Sequence, residues 1–150
     1  MILDKTNEFS DSQAVTATAV STNTIDTNPA QANTTTDIGA GEDVTLVLQV
    51  DTSATASGAA TVTVTLESDT ATDLSSGSST VHVTLGPFSL AQMAAKATLA
   101  KVRLPSGTYK RYLGVRYTVA TGPLTAGAFS AFLVKDAQAN AIYKSGYTVA

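Results

Sequence analysis

The side chains best suited to chemistry in this sequence are a single histidine and two clusters of carboxylates. His82 lies in an alternating run that points Val81 and Val83 inward and the histidine outward. No Gly-x-Ser-x-Gly turn offers a nucleophilic serine to pair with it. A zinc site is excluded, because the chain has no second imidazole and no cysteine. We interpret His82 as an exposed strand residue, with pH sensing as the alternative.

Both carboxylate clusters lie in polar loops, at residues 37–43 (DIGAGED) and 67–73 (ESDTATD). Oxygen-rich loops can bind calcium, but neither cluster has the regular ligand spacing and terminal glutamate of an EF-hand loop. We interpret both as solvated turns. We therefore predict no metal ion, no cofactor and no enzymatic activity.

Residues 108–117 combine cations with aromatic rings. Lys110, Tyr112 and Arg116 fall on one strand face, because they are separated by even numbers of residues, and such mixtures occur in grooves that bind single-stranded nucleic acid. The alternative is that these long side chains lie along a sheet and pair with acids elsewhere in the chain. We favour the alternative, because the chain has a net charge of −3 and nucleic-acid binders are usually basic.

Acidic and basic residues are separated along the chain. Residues 1–95 contain eleven of the twelve acids and one base, whereas residues 96–150 contain eight bases and one acid. Opposite charges of this kind attract one another. We predict ion pairs between the two parts of one chain, or attraction between the basic edge of one copy and an acidic neighbour.

Alternating hydrophobicity predicts two strands late in the chain. Residues 113–119 alternate as in a half-buried strand. Residues 128–134 are apolar on both faces, which indicates either a central strand covered twice or a strand with one face at a protein interface. We predict an interface between copies formed by this strand and the tyrosines after it: Phe132, Val134, Tyr143 and Tyr147.

Further strands are predicted upstream, at residues 13–20, 44–50, 61–66, 81–85 and 98–104. Residues 21–41 are predicted to form a long polar loop. Residues 90–99 are predicted to begin as a short helix, because Ala, Leu, Met, Gln and Lys favour helices. Seven or eight short strands separated by Gly, Ser, Thr and Pro predict an all-β fold, a jelly roll or antiparallel β-sandwich.

A chain of 150 residues suits one domain with an adequate core. We place this domain at residues 13–150. Residues 1–12 are predicted to form an extended N-terminal arm, because Ile2, Leu3 and Phe9 have no steady period. No apolar run approaches the roughly 20 residues of a spanning helix, and the acidic start does not fit a secretory signal. We expect a soluble protein with no membrane partner.

Several segments together resemble a known family: MILDKTN (residues 1–7), FSDSQ (9–13), LGPFSL (85–90), LPSG (104–107), RYLGVRYTV (111–119) and LTAG (124–127). The family is the capsid cement, or decoration, proteins of tailed bacteriophages, of the jelly-roll kind seen in a Bordetella podophage. The similarity runs over nearly the whole length. Its most specific parts are the first thirteen residues and residues 111–127.

The resemblance implies a non-enzymatic virion protein, made in the bacterial host cytoplasm, that binds the outer surface of an expanded icosahedral head. It implies a homodimer or homotrimer that bridges neighbouring capsomers of the major capsid protein. A flexible arm can reach a neighbour and add a strand to its edge. We therefore expect Ile2, Leu3 and Phe9 to contact the capsid.

The alternative function is that of a carbohydrate-binding or host-adhesion β-sandwich module, because fold alone does not decide function. Sugar platforms usually stack their ligands on exposed aromatic rings. This chain has no tryptophan, five tyrosines and four phenylalanines. The composition therefore favours the structural role.

Overall fold

The computed structural model describes residues 4–27, 35–38, 43–74, 77–135 and 137. Within them the chain forms a 3-10 turn at Lys5–Asn7 and eleven strands. The strands are β1 (Glu8–Ala14), β2 (Ala19–Val20), β3 (Ile25–Asp26), β4 (Thr35–Ile38), β5 (Thr45–Thr55), β6 (Thr61–Asp69), β7 (Thr80–Ser89), β8 (Thr98–Arg103), β9 (Gly107–Lys110), β10 (Tyr112–Ala120) and β11 (Ala126–Val134).

The strands form two main antiparallel sheets, which confirms the predicted all-β sandwich. The first sheet has the order β1-β11-β5-β8 and the second the order β2-β10-β6-β7, with β3 also paired to β10. Strands β4 and β9 form a separate pair. If β3, β4 and β9 are set aside and the eight remaining described strands are counted 1 to 8 in chain order, the two sheets have the orders 1-8-3-6 and 2-7-4-5. All but one of their connections cross between the sheets, as in a jelly roll.

The first and last described strands are neighbours. In the β1–β11 ladder Glu8 lies opposite Phe132 and Ala14 lies opposite Ala128. Because the two strands are antiparallel, the start of β1 and the end of β11 lie at one pole of the sandwich. The loops that follow β1, β5 and β10 lie at the other pole.

The core lies between the sheets, where alternate side chains of each strand point inward. Its fully or almost fully buried members include Phe9, Leu46, Leu48, Val50, Phe129, Ala131 and Leu133 from the first sheet, and Val62, Val64, Leu66, Leu113, Val115 and Tyr117 from the second. Strands β10 and β11 follow one another in the sequence but belong to different sheets. They pack across the core, where the ring centroids of Tyr117 and Phe129 are 5.6 Å apart.

The prediction of a helix beginning at residue 90 is wrong, because residues 90–96 form turns that lead to β8. Backbone groups that a helix would pair internally are bonded to β5 instead. The N–H of Ala54 donates to the carbonyl of Met93 (3.0 Å), and the N–H of Lys96 donates to the carbonyl of Val50 (2.7 Å). The Met93 side chain is fully buried. Tertiary pairing therefore outweighs local helix propensity here.

Other strands differ from their predicted extents. Strand β7 continues through Gly86 and a cis Pro87 to Ser89, and residues 21–41 contain β3 and β4. These two short strands exist because β10 and β9 pair with them, so a polar sequence carries little signal for them. Within the described parts of the chain, no helix is long and apolar enough to cross a membrane.

Candidate interaction surfaces

The segment predicted as a free arm contains strand β1 from Glu8 onward. Phe9 is 0% exposed and packs in the core. Phe9 is therefore a core residue and not the capsid contact that the sequence predicts. Strand β1 already pairs with β11 at Glu8, one residue before Phe9, and the Phe9 ring is turned inward. Ile2 and Leu3 lie outside the described residues. The boundary of any arm accordingly falls before Glu8 rather than after Ser12.

A hydrogen-bond network that begins at the buried Tyr117 hydroxyl fixes β1 to the second sheet. The Tyr117 hydroxyl donates to Ser10 Oγ (3.0 Å), which donates to Gln13 Oε1 (2.7 Å). The Gln13 side chain then donates to the carbonyl of Val20 (2.8 Å) and accepts from the N–H of Thr22 (2.9 Å). Burial raises the pKa of Tyr117 to about 12. The phenol thus remains protonated and keeps donating near neutral pH.

Strand β11 is covered on both faces. On its outer face Phe132 and Val134 pack with Val47 of β5 in a second buried cluster, which Ala137 also contacts. Phe132 is 4% exposed and Val134 is 7% exposed. The predicted oligomer interface is therefore corrected for these two residues, since they are buried within a single chain. Tyr143 and Tyr147, the other predicted interface residues, lie outside the described residues.

The predicted basic and aromatic face is divided between two strands. Lys110 ends β9, whereas Tyr112 and Arg116 lie on β10, because the chain bends at Arg111. The Lys110 ammonium donates to the carbonyl of Ser78. Tyr112 is half-buried, with the Arg111 guanidinium carbon 5.1 Å from its ring centroid. These contacts favour long side chains lying along the sandwich over a groove for nucleic acid.

Ion pairs join the basic part of the chain to acids of the first part, as the charge pattern predicts. They are Arg103–Asp43, Arg111–Asp26 and Arg116–Glu67. The Arg103–Asp43 side chains are 61% and 56% exposed, whereas those of Arg116–Glu67 are 17% and 4% exposed. Local sequence does not single out Asp26 or Arg111. The separation of charge along the chain is the one signal that points to their pairing.

The Arg116–Glu67 pair also fixes the loop that follows β6. Glu67 accepts from Arg116 Nε (3.0 Å) and from Thr65 Oγ1 (2.6 Å). Burial raises the pKa of Glu67, but hydrogen bonds from Arg116 and Thr65 outweigh burial and leave this pKa below its usual value. Arg116 donates further to the carbonyl of Leu74. The Leu74 side chain lies against Gly114, where an added Cβ would overlap it.

His82 is half-buried rather than exposed, because a β-bulge interrupts the pairing of β6 with β7. Leu66 lies opposite Val83, but the next residue, Glu67, lies opposite Val81. His82 is therefore the extra residue of the bulge, which changes the direction of side chains on the bulged strand. Val81, predicted to face inward, is 51% exposed. Both predictions fail for the same reason.

The imidazole of His82 packs against strand β9. Its ring centroid is 3.9 Å from that of Tyr109, and its Nε2 is 2.7 Å from Ser68 Oγ. Ser68 Oγ accepts from the N–H of Lys110 (3.0 Å), so its own proton is available for the imidazole. Burial lowers the pKa of His82, and the positive charge of Lys110 lowers it further. The neutral ring is thus the form that this site favours.

The buried carboxylates of residues 67–73 form hydrogen bonds and an ion pair within the chain. Asp69 accepts from the N–H of Thr70 (2.6 Å) and from the Ser78 hydroxyl (2.6 Å), and Glu67 binds Arg116. Of residues 37–43, positions 39–42 lie outside the described residues. Among the side chains that the structure describes, no three or more His, Cys, Asp or Glu are grouped to hold a metal ion.

A cavity of about 340 Å³ opens between the sheets at the pole where β1 begins. Its apolar lining includes Ile25, Val44, Leu113 and Leu133 from the core side, and its polar lining includes Asn7, Asp26, Thr27 and Lys135. Ile25 reaches it because β3 pairs with β10, which sets Ile25 opposite Leu113. The volume is at the lower end of the roughly 300–1,000 Å³ of small-ligand clefts.

Two comparisons with known proteins bear on these surfaces. The family model described as Bbp16 matches residues 9–133, from Phe9 in the core to Leu133 at the cavity. A search of curated proteins gives no match. The family match includes residues from both sheets, so it concerns the sandwich as a whole.

Proposed function

We propose that this chain, which belongs to the Bbp16 family of bacteriophage proteins, is a structural protein of the virion that binds the outside of the head. In this role it bridges neighbouring capsomers of the major capsid protein and stabilises the expanded icosahedral shell against the pressure of packaged DNA. The observation that carries the proposal is the family match over residues 9–133. The fold agrees with a task that needs a rigid binding body.

The described contacts give such a body its rigidity. The Tyr117–Ser10–Gln13 network ties β1 to the second sheet, and Arg116–Glu67 ties β10 to β6 and to the loop after β6. These bonds connect segments that are far apart in the sequence. A load on the sandwich is therefore shared by several strands rather than by one.

Binding at many equivalent seams of a closed shell gives stability that a single contact would not. A capsomer held by several copies leaves only when all of them release it, so modest individual affinities act together. We propose that the copies act as homodimers or homotrimers, since symmetric oligomers suit symmetric shells. Sedimentation velocity of the free protein measures this. A monomer at every concentration would contradict an oligomer that forms before head binding.

The test of the proposed function uses expanded heads assembled without this protein. Purified protein is added, and the heads are imaged by electron cryomicroscopy and heated until they release DNA. We expect density on the outer surface over the joints between capsomers, and release at a higher temperature than in heads without the protein. Unexpanded heads are the matched control and should bind less. The proposal would be overturned if expanded heads mixed with the protein showed no added density, or if the protein bound a glycan array and did not bind heads.

A further inference from the structure

Strand β9 is a short segment between the first sheet and the second, and it is fixed at both ends. Before it, the N–H of Leu104 donates to the carbonyl of Val44 (2.8 Å). After it, Tyr112 lies opposite Asp69 in the β10–β6 ladder. Within the described part of the chain, β9 is in neither main sheet and pairs with β4. Its contacts outside that pairing therefore decide how firmly it lies against the second sheet.

The contacts that hold β9 on the second sheet centre on His82 and on Ser68 beside it. Tyr109 is 1% exposed, and its ring is stacked on the imidazole with the centroids 3.9 Å apart. Ser68 Oγ lies 2.7 Å from His82 Nε2 and accepts from the N–H of Lys110 (3.0 Å). The imidazole thus contacts both a side chain of β9 and the serine that binds the β9 backbone.

This arrangement requires an unprotonated Nε2 on His82. Ser68 Oγ accepts from the Lys110 N–H and donates its own proton to Nε2, so the neutral ring carries its proton at Nδ1. A proton on Nε2 would make the ring a donor and leave the Ser68 hydroxyl hydrogen without its acceptor. Ser68 is 0% exposed, so water does not replace that acceptor while β9 is in place. A buried donor without a partner costs free energy, and movement of β9 away from the sheet removes that cost by admitting water.

The positive charge nearest to the imidazole also opposes its protonation. Burial lowers the pKa of His82, and the Lys110 ammonium on β9 lowers it further. Strand β7 carries no charged residue besides the histidine. In the β4–β9 ladder the residue opposite Tyr109 is Thr36, whereas the acid of β4, Asp37, is one position farther along.

The acids of β6 are bound to other partners. Glu67 and Asp69 alternate with Ser68 along the strand and therefore face away from the imidazole. Glu67 is paired with Arg116, and Asp69 accepts from the Ser78 hydroxyl (2.6 Å). These acids accordingly do not offset the charge that protonation of the ring would add.

We infer that His82 forms a pH-sensitive contact that holds β9 on the second sheet when the imidazole is neutral and releases it when the imidazole is protonated. The release is local, so both main sheets stay folded. It exposes the Tyr109 ring, which otherwise belongs to the core. The inference concerns the free protein and does not depend on the proposed function.

NMR of the imidazole tests the contact directly, because His82 is the single histidine of the chain. With nitrogen-labelled histidine we expect an unprotonated Nε2 at pH 7.5 and a titration midpoint below 6.5. Lys110→Met should raise this midpoint by removing a nearby positive charge, and Lys101→Met, at an exposed position of β8, is the matched control. The opposite tautomer, a midpoint of 6.5 or more, or equal midpoints in the two variants would overturn the inference.

Hydrogen exchange of the Lys110 amide tests the release of β9. After correction for the intrinsic exchange rate, its opening equilibrium should rise about tenfold from pH 7.5 to pH 5.5. This is the limit for a group with an ordinary pKa of about 6.5 that stays neutral while β9 is bound. In His82→Gln the opening should not depend on pH. No rise in the unmodified chain, or an equal rise in the variant, would contradict the inference.

The amides that pair β10 with β6 distinguish local release from unfolding of the whole chain. Local opening exposes little surface, so low concentrations of urea should hardly change exchange at Lys110 while they accelerate exchange in the β6–β10 ladder. Lys110 should also be less protected than that ladder at both pH values. Equal protection with equal urea dependence would mean that β9 is released only by global unfolding, and the inference would then be wrong.

Discussion

At the scale of single residues, the Arg116–Glu67 pair is expected to contribute more to stability than the other ion pairs. Replacing Arg116 with Met leaves the Glu67 carboxylate buried without its partner, and breaking a buried pair in this way costs about 3 kcal/mol or more. Urea unfolding followed by circular dichroism measures the loss in the free energy of unfolding.

Arg103→Met is the matched control for this prediction. The Arg103–Asp43 side chains are more than half exposed, and exposed pairs contribute about 1 kcal/mol at most. Equal losses in the two variants would show that burial does not distinguish the pairs.

A second residue-scale prediction concerns His82 and pH. Burial, and then the charge of Lys110, lowers the pKa of His82 in the folded chain, whereas the unfolded chain keeps its ordinary pKa near 6.5. The unfolded state therefore binds more protons as the pH falls through that value. We expect the free energy of unfolding to be highest above about pH 6.5 and to fall progressively below it.

The control is His82→Gln, which keeps a polar side chain beside Ser68 without a group that titrates near pH 6. Urea unfolding between pH 7.5 and pH 5.5 should show a steeper decline for the unmodified chain than for the variant. Identical slopes would remove His82 as a source of pH dependence.

At the scale of elements, the position of β1 decides which truncations the sandwich tolerates. Removing residues 1–3 leaves β1 intact, so we expect the chain to remain folded and to occupy heads less fully if Ile2 and Leu3 contact them. Removing residues 1–10 takes Phe9 out of the core and Ser10 away from Tyr117. Loss of a large buried aromatic side chain alone costs about 3–5 kcal/mol.

Far-UV circular dichroism and head occupancy measured on both truncations check this prediction. A folded 1–10 deletion would mean that β1 is dispensable, as a free arm would be. Unchanged head occupancy after deletion of residues 1–3 would leave those residues without a role in capsid contact.

The sequence predicts most elements because alternation and turn residues are local signals, and it fails where pairing partners decide. The alternation of valine with threonine in β6 predicts which of its side chains are buried. The bulge at His82 depends instead on the register of β7 with β6, and it leaves the Val81 side chain exposed where alternation predicts burial. The helix propensity of residues 90–99 is real but weaker than pairing with β5. For the surfaces, the separation of charge predicts the ion pairs, whereas the cavity at Ile25 requires a tertiary contact that no local pattern records.

At the scale of the whole molecule, the outer face of β11 is buried within one chain, so a substitution there is expected to affect folding rather than association between copies. Phe132→Asp is expected to unfold the chain, because it buries a charge without a partner. A dissociated but folded protein is not expected. Circular dichroism combined with sedimentation distinguishes the two results, and Val81→Asp should leave both measurements unchanged. A folded monomer from Phe132→Asp would restore this face as a contact between copies.

The side-by-side placement of β1 and β11 has a practical consequence for attaching cargo to the molecule. Peptides fused upstream of β1 and downstream of β11 would leave from the same pole, next to the cavity, and would crowd both that opening and each other. The open turn around Gly58, where an added side chain meets nothing within 4 Å, lies at the far pole. An epitope or fluorophore inserted there would point the opposite way and leave the opening of the cavity unobstructed.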